Sequence, residues 1–203
     1  MIIVTVLALL AVGAVAIGVI PGMFGSDDAD DADPPAETTP DEDDESTDEG
    51  AQEPEPLAIS AAGDHDPFGD GEEHPSDVPL AFDGDPSTSW QTQQYQGSPE
   101  LGGLKPGVGI WFDLGEVREV HQMVLEAPGV DATIYAADGP PQANEGPEDF
   151  ATEVATVTST GESEDVVFDE PVETQVFLVW LTSLPPDGEV FRASVSEVSF
   201  IGH

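Results

Sequence analysis

The 203-residue chain carries 43 acidic residues against three basic ones, Lys105, Arg118 and Arg192, for a formal charge of −40. A surface of that sign repels phosphate backbones and anionic headgroups, which argues against nucleic-acid binding and peripheral attachment to anionic membranes. It suits divalent cations, cationic partners or plain solubility. The absence of cysteine removes disulfides, thiolate metal sites, cysteine nucleophiles and a lipoprotein-type lipid anchor.

Residues 1–22 open with MIIVTVLALLAVGAVAIGVI, free of charge. As a helix, 2–20 would cover roughly 28 Å, close to the hydrocarbon thickness of a bilayer. We expect an uncleaved transmembrane anchor that ends at Pro21-Gly22. The alternative, a cleaved signal peptide, usually has a basic n-region and a shorter apolar core. No Lys or Arg flanks the span, so the usual orientation signal is missing. An internal start at Met1, or a lost cytoplasmic domain, would explain that. The carboxylates from Asp27 onward make the outside of the membrane the expected destination of the downstream chain.

Residues 23–56 read as a linker. Positions 26–56 hold fifteen Asp or Glu and five Pro, with alanine as the only apolar side chain. Such a stretch cannot bury enough surface to offset ordering entropy, so a disordered, extended stalk is expected.

The folded domain is expected over 57–203. Leu57, Ile59 and Ala61 alternate as a first strand. Positions 63–74 form a loop rich in acids; Asp64, Asp66, Gly69 and Glu72 mimic a calcium-loop spacing, but Phe68 and Pro75 stand where ligands should be. The next strand is 108–114, followed by a Gly115-Glu116 turn. Then 117–127 alternates, with Val120, Gln122, Val124 and Glu126 on one face and His121, Met123 and Leu125 on the other. Further strands are expected over 132–136, 154–158, 165–168, 175–182 and 193–201. The run VFLVWL at 176–181 is continuously apolar, the mark of a central strand covered on both faces. After residue 21 no segment shows a sustained 3.6-residue repeat. About eight short strands at this spacing predict an all-β fold, an antiparallel sandwich or jelly roll, and a domain of this size can bury a core without disulfides.

Three pieces, in this order, carry a family resemblance: AFDGDPSTSW (81–90), IWFDLG (110–115) and SEVSFIG (196–202). Together they resemble the discoidin, or coagulation factor 5/8 C-type, galactose-binding-like family. The insert LGGLKPGVG (101–109) is similar to a narrower group, the extracytoplasmic tails of actinobacterial kinase-like and lipid II flippase-like membrane proteins. The resemblance implies a jelly-roll β-sandwich and, in many members, a structural calcium ion. Carried over, it makes Asp83, Asp85 and Thr88 calcium ligands from the turn, with Glu197 reaching over from the last strand. Hard oxygens in a tight turn suit calcium; the other reading is that Asp83 and Thr88 only cap the turn. The pattern makes Trp90 a core residue.

Trp111 alternates with Ile110 and Phe112, so it is either a packing residue of the second face or a sugar platform. Tyr95 and Lys105 flank the long glycine/proline loop within 91–109, the stretch left for function, and are expected, with Trp111, to contact the ligand. Trp180 should be core. The four histidines lack metal-type spacing, and neither a nucleophile elbow nor a phosphate loop is present, so catalysis is not expected. The expected function is a membrane-anchored extracytoplasmic module that recognises cell-envelope carbohydrate or glycolipid. The alternative is a protein-interaction or regulatory tail of a larger membrane protein, without a sugar ligand.

Overall fold

The computed structural model describes residues 53–203. The expected anchor and nearly all of the expected linker lie outside the described residues.

The strands are β1 (Glu55–Leu57), β2 (Ala61–His65), β3 (Trp90–Gln91), β4 (Val108–Glu126), β5 (Asp131–Ala137), β6 (Thr152–Thr158), β7 (Glu164–Ser183), β8 (Pro186–Asp187), β9 (Val190–Phe191), β10 (Ser194–Val195) and β11 (Glu197–Gly202). Short 3-10 turns span Pro75–Ala81 and Leu101–Gly103, and a single helical turn, α1, spans Pro147–Phe150. A seven-stranded antiparallel sheet runs β1-β11-β4-β7-β5-β6, with β2 also paired to β4.

Two long strands make this one sheet into two facing layers. Residues 108–113 of β4 pair with β2 and with 176–181 of β7, whereas 118–125 pair with β11 and with 164–174 of β7. The change of layer falls between Asp113 and Arg118, where the register shifts and Gly115 takes φ 84°, a value open to glycine. The layers meet through aromatics. Phe200 of β11 stacks on Phe177 of β7 at 4.8 Å and lies edge-on to Phe112 of β4 at 6.0 Å, and all three are fully buried. Phe168 and Phe82 extend the column at either end. The result is an antiparallel β-sandwich with its core between the layers.

The run 176–181 is the central strand that its apolarity predicts. It lies between β4 and β5, and each of its residues is buried. Its inward side chains, Phe177, Val179 and Leu181, join the main core, while Leu178 and Trp180 face outward. There they form a second cluster with Tyr135, backed by Trp111, Phe150 and Ala151. Trp180 is therefore buried as expected, but on the outer face, beneath His65 at 6.0 Å and Phe68 at 6.2 Å. His65 also pins a distant loop, since its Nε2 lies 2.8 Å from the Glu145 carbonyl. Burial holds the His65 pKa below its ordinary value, a neutral ring whose Nε2–H donates to that carbonyl.

Several strand expectations need correction. The first strand is not 57–61; Glu55 and Pro56, expected in the linker, pair with Gly202 and Ile201 at the sheet edge, where a proline is tolerated. Residues 63–65, expected in the acidic loop, belong to β2. Strands 108–114 and 117–127 are one bent strand, as are 165–168 and 175–182, because the two pair with each other on both sides of the bend. The alternation in β4 also breaks: Val120 is buried on the same side as Met123 and Leu125. The register with both β7 and β11 shifts at His121, a bulge that reverses the facing of everything before it.

Candidate functional site: a cleft above a buried charge network

Strand β2 delivers His65 and Asp66 to the top of the sheet, and the loop beyond it folds back over the strand. The chain then returns along β3, so residues 91–95 run beside 66–73. A shallow cleft of about 180 Å³ opens there, lined by Asp66, Phe68, Gly69, Asp70, Gln93, Tyr95, Leu104 and Lys105. Two apolar side chains are exposed at its rim, Phe68 at 50 % and Leu104 at 80 %.

Below the cleft is a tight polar network. Lys105 Nζ lies 2.7 Å from Asp66 Oδ1 and 3.1 Å from Glu73 Oε2, with all three side chains nearly sealed from solvent. Tyr95 donates its hydroxyl to Glu73 at 2.9 Å, and the Gln93 amide donates to the same carboxylate at 2.6 Å. The lysine ammonium also sits 5.3 Å from the Tyr95 ring centre. Glu73 itself is held in place. Its carbonyl accepts the Trp90 indole N–H at 2.6 Å, and its amide donates to Asp64. Trp90, fully buried, is the core residue its motif implies.

The charge states are set by this geometry. Burial by itself disfavours the Lys105 ammonium, but the bonds to Asp66 and Tyr95 and the pull of Glu73 outweigh it and hold its pKa above the ordinary lysine value. Burial, reinforced by the Glu73 charge, pushes the Tyr95 phenol up despite the opposing effect of Lys105.

Of the residues expected to contact ligand, Tyr95 and Lys105 come together in the cleft floor. Their polar heads are turned inward, onto Glu73. Trp111 is placed elsewhere, on the outer face against the Tyr135–Leu178–Trp180 cluster, its indole 2.6 Å from where a Cβ on Gly63 would stand.

The four residues that the resemblance names for calcium do meet at one turn. Thr88 donates its hydroxyl to Asp83 Oδ2 at 2.8 Å, Asp85 donates its amide to Asp83 Oδ1 at 2.9 Å, and Asp85 accepts the Ser87 hydroxyl at 2.6 Å. Glu197, 113 positions away, accepts the Gly84 amide at 3.0 Å. These are turn-capping bonds, and among the described residues no group of three or more His, Asp or Glu side chains converges as a metal site. The donor chemistry nevertheless suits a hard cation. Burial raises the Glu197 pKa, and the nearby Asp83 and Glu126 charges raise it further, a repulsion that a cation would relieve.

The sequence does not mark Asp66, Phe68, Asp70, Glu73, Gln93 or Leu104 as cleft residues. One signal was present: the only lysine of the chain, placed in an apolar and glycine-rich loop, requires carboxylate partners, and 63–74 is the nearest dense source of them.

No family model matches the chain. Solved structures similar to it include the family 32 carbohydrate-binding module of NanJ from C. perfringens in complex with galactose, at 19 % identity and TM-score 0.49 over 72 % of this chain and 98 % of that one. Chitosan-binding module 1 of a chitosanase/glucanase from Paenibacillus sp. IK-5 matches at 20 % identity and TM-score 0.48, over 72 % of this chain and 96 % of that one. A pectin-binding module matches at 11 % identity and TM-score 0.46, over 71 % and 91 %.

Proposed function

We propose that the chain is a non-catalytic binding module of the jelly-roll type that takes carbohydrate of the cell envelope into the cleft between 66–70 and 93–105. The observation that carries this is the rim: Phe68 and Leu104 are exposed along a concavity with ordered polar groups at its base. A concave site with apolar walls and a few fixed polar groups is the usual form of a small-ligand site. An exposed aromatic face suits the apolar face of a sugar ring. Buried ion pairs under it hold the floor rigid, so little ordering entropy is lost on binding. Galactose is bound by the NanJ module in its own structure; for this chain the reading rests on the cleft.

The apolar run at 2–20 supports a single-pass anchor with the module held outside the membrane. A calcium ion at Asp83, Asp85, Thr88 and Glu197 would tie the turn to β11; the bond from the Gly84 amide to Glu197 and the crowding of charge there support it. Exposure of Leu104 at 80 % favours a second reading, a protein-docking surface on a larger membrane protein.

A glycan array probed with the full-length chain tests the first reading. Saturable binding to a defined sugar supports it. Silence on the array, together with salt-sensitive capture of a basic protein, supports the second.

A further inference from the structure

We propose that the cleft selects saccharides bearing a free, protonated amino group over neutral or anionic ones, an inference that rests on the carbohydrate reading above. The charges around the cleft do not balance. Asp66 and Asp70 line it and Glu73 lies directly behind, while Lys105 is its only cation. That cation is already committed, with its Nζ held between two carboxylates and over the Tyr95 ring.

Asp66 is the decisive residue. Its side chain is 1 % exposed, its Oδ1 lies on Lys105, and its Oδ2 has no hydrogen-bond partner among the described residues. A buried carboxylate oxygen without a donor is unfavourable, and its natural complement is a donor brought by a ligand. Gly69, itself a cleft residue, lies against this carboxylate; a Cβ there would run into Oδ2, so only glycine fits over that side of Asp66. Asp70, at the exposed edge, accepts the Glu72 amide on Oδ1 at 3.4 Å and leaves its other oxygen free.

A ligand ammonium offers three charge-assisted donors to these two carboxylates. An N-acetylated amino sugar offers one neutral N–H, and a neutral sugar only hydroxyls. A uronate or sialate would meet like charge locally and the field of a chain with net charge −40.

The test compares three disaccharides by calorimetry against the full-length chain in polyoxyethylene detergent. The ligands are the glucosamine disaccharide, its diacetylated counterpart and a neutral galactose disaccharide. The measurement is made at about pH 6, where amine and carboxylates are both ionised, and at about 0.15 M salt to screen distant charge. We expect the free amine to bind at least about tenfold more tightly than either competitor. Amide resonances of Gly69, Asp70 and Gln93 should shift with it.

The preference should collapse in Asp70→Asn and Asp66→Asn and persist in Glu170→Gln, which removes an exposed acid from the other half of the sheet. Asp70 is exposed, so its variant stays informative even where Asp66→Asn disturbs the fold, which melting will report. Equal binding of all three disaccharides would overturn the inference and leave the carbohydrate reading standing. A preference equally weakened by Glu170→Gln would reduce it to general attraction and overturn it as well. Binding of a lysine peptide with no disaccharide binding would overturn it in favour of a protein partner. No binding at all would remove both readings together.

Discussion

Replacing Lys105 with methionine keeps the length of the side chain and removes its charge. Asp66 and Glu73, 1 % and 0 % exposed at their side chains, are then left without a cation. The two carboxylates do not suffer equally. Glu73 retains the Tyr95 hydroxyl and the Gln93 amide, whereas Asp66 loses its one close partner. Breaking a buried pair by removing one partner costs about 3–5 kcal/mol, and here most of that falls on Asp66. At about 2–4 °C per kcal/mol for a domain of this size, Tm should drop by roughly 6–20 °C. Scanning calorimetry of the full chain measures it. Adding Asp66→Asn to Lys105→Met should recover about half of the loss, because the uncompensated charge is gone; the double-mutant cycle reads that coupling directly. A loss below about 1 kcal/mol, the value of an exposed ion pair, would refute the reasoning. So would a double variant no more stable than the single one.

Three further outcomes are expected. Stability should fall on both sides of a plateau. Below about pH 6.5 the unfolded chain protonates His65 while the folded state resists, and above about pH 10 the unfolded chain ionises its tyrosines and loses lysine charge while Tyr95 and Lys105, both with raised pKa values, do not; denaturant midpoints against pH check this. Trp111→Ala should lower stability by about 1–3 kcal/mol, less than a fully buried aromatic, and leave saccharide binding unchanged, since Trp111 packs on the outer face; lost binding with unchanged stability would restore it as a sugar platform. Calcium added to the chelator-stripped chain should raise Tm, and Glu197→Gln should abolish the increment; unchanged melting and no heat of titration would remove the calcium proposal.

The sandwich was legible where the physics is local. Continuous apolarity at 176–181 announced a central strand, and the indole of Trp90 was placed in the core by its motif. What escaped was long-range. Strand β4 continues through Gly115 because β7 supplies partners on both sides of the bend, with β2 before it and β11 after it, a fact that no turn signal in 115–116 contains. The His121 bulge likewise arises from pairing with β11, where β11's residues Ile201 and Gly202 skip one position of β4. The cleft was half legible. The sequence places Tyr95 and Lys105 on either side of one loop, but Asp66 and Glu73 reach them only because the acidic loop folds back on Trp90. Phe68 was read only as the residue that spoiled a calcium loop; its exposure beside Leu104 makes sense once the two loops are seen side by side.

Phe68→Ala tests most directly whether the cleft is a saccharide site. The full-length chain is first shown to bind a glycan saturably, and the same titration is then run on the variant. Phe68 is half exposed and covers Trp180 only from its outer side, so melting should fall only modestly while affinity falls about tenfold or more. Undiminished glycan binding by Phe68→Ala, with the fold intact, would contradict a saccharide site in this cleft.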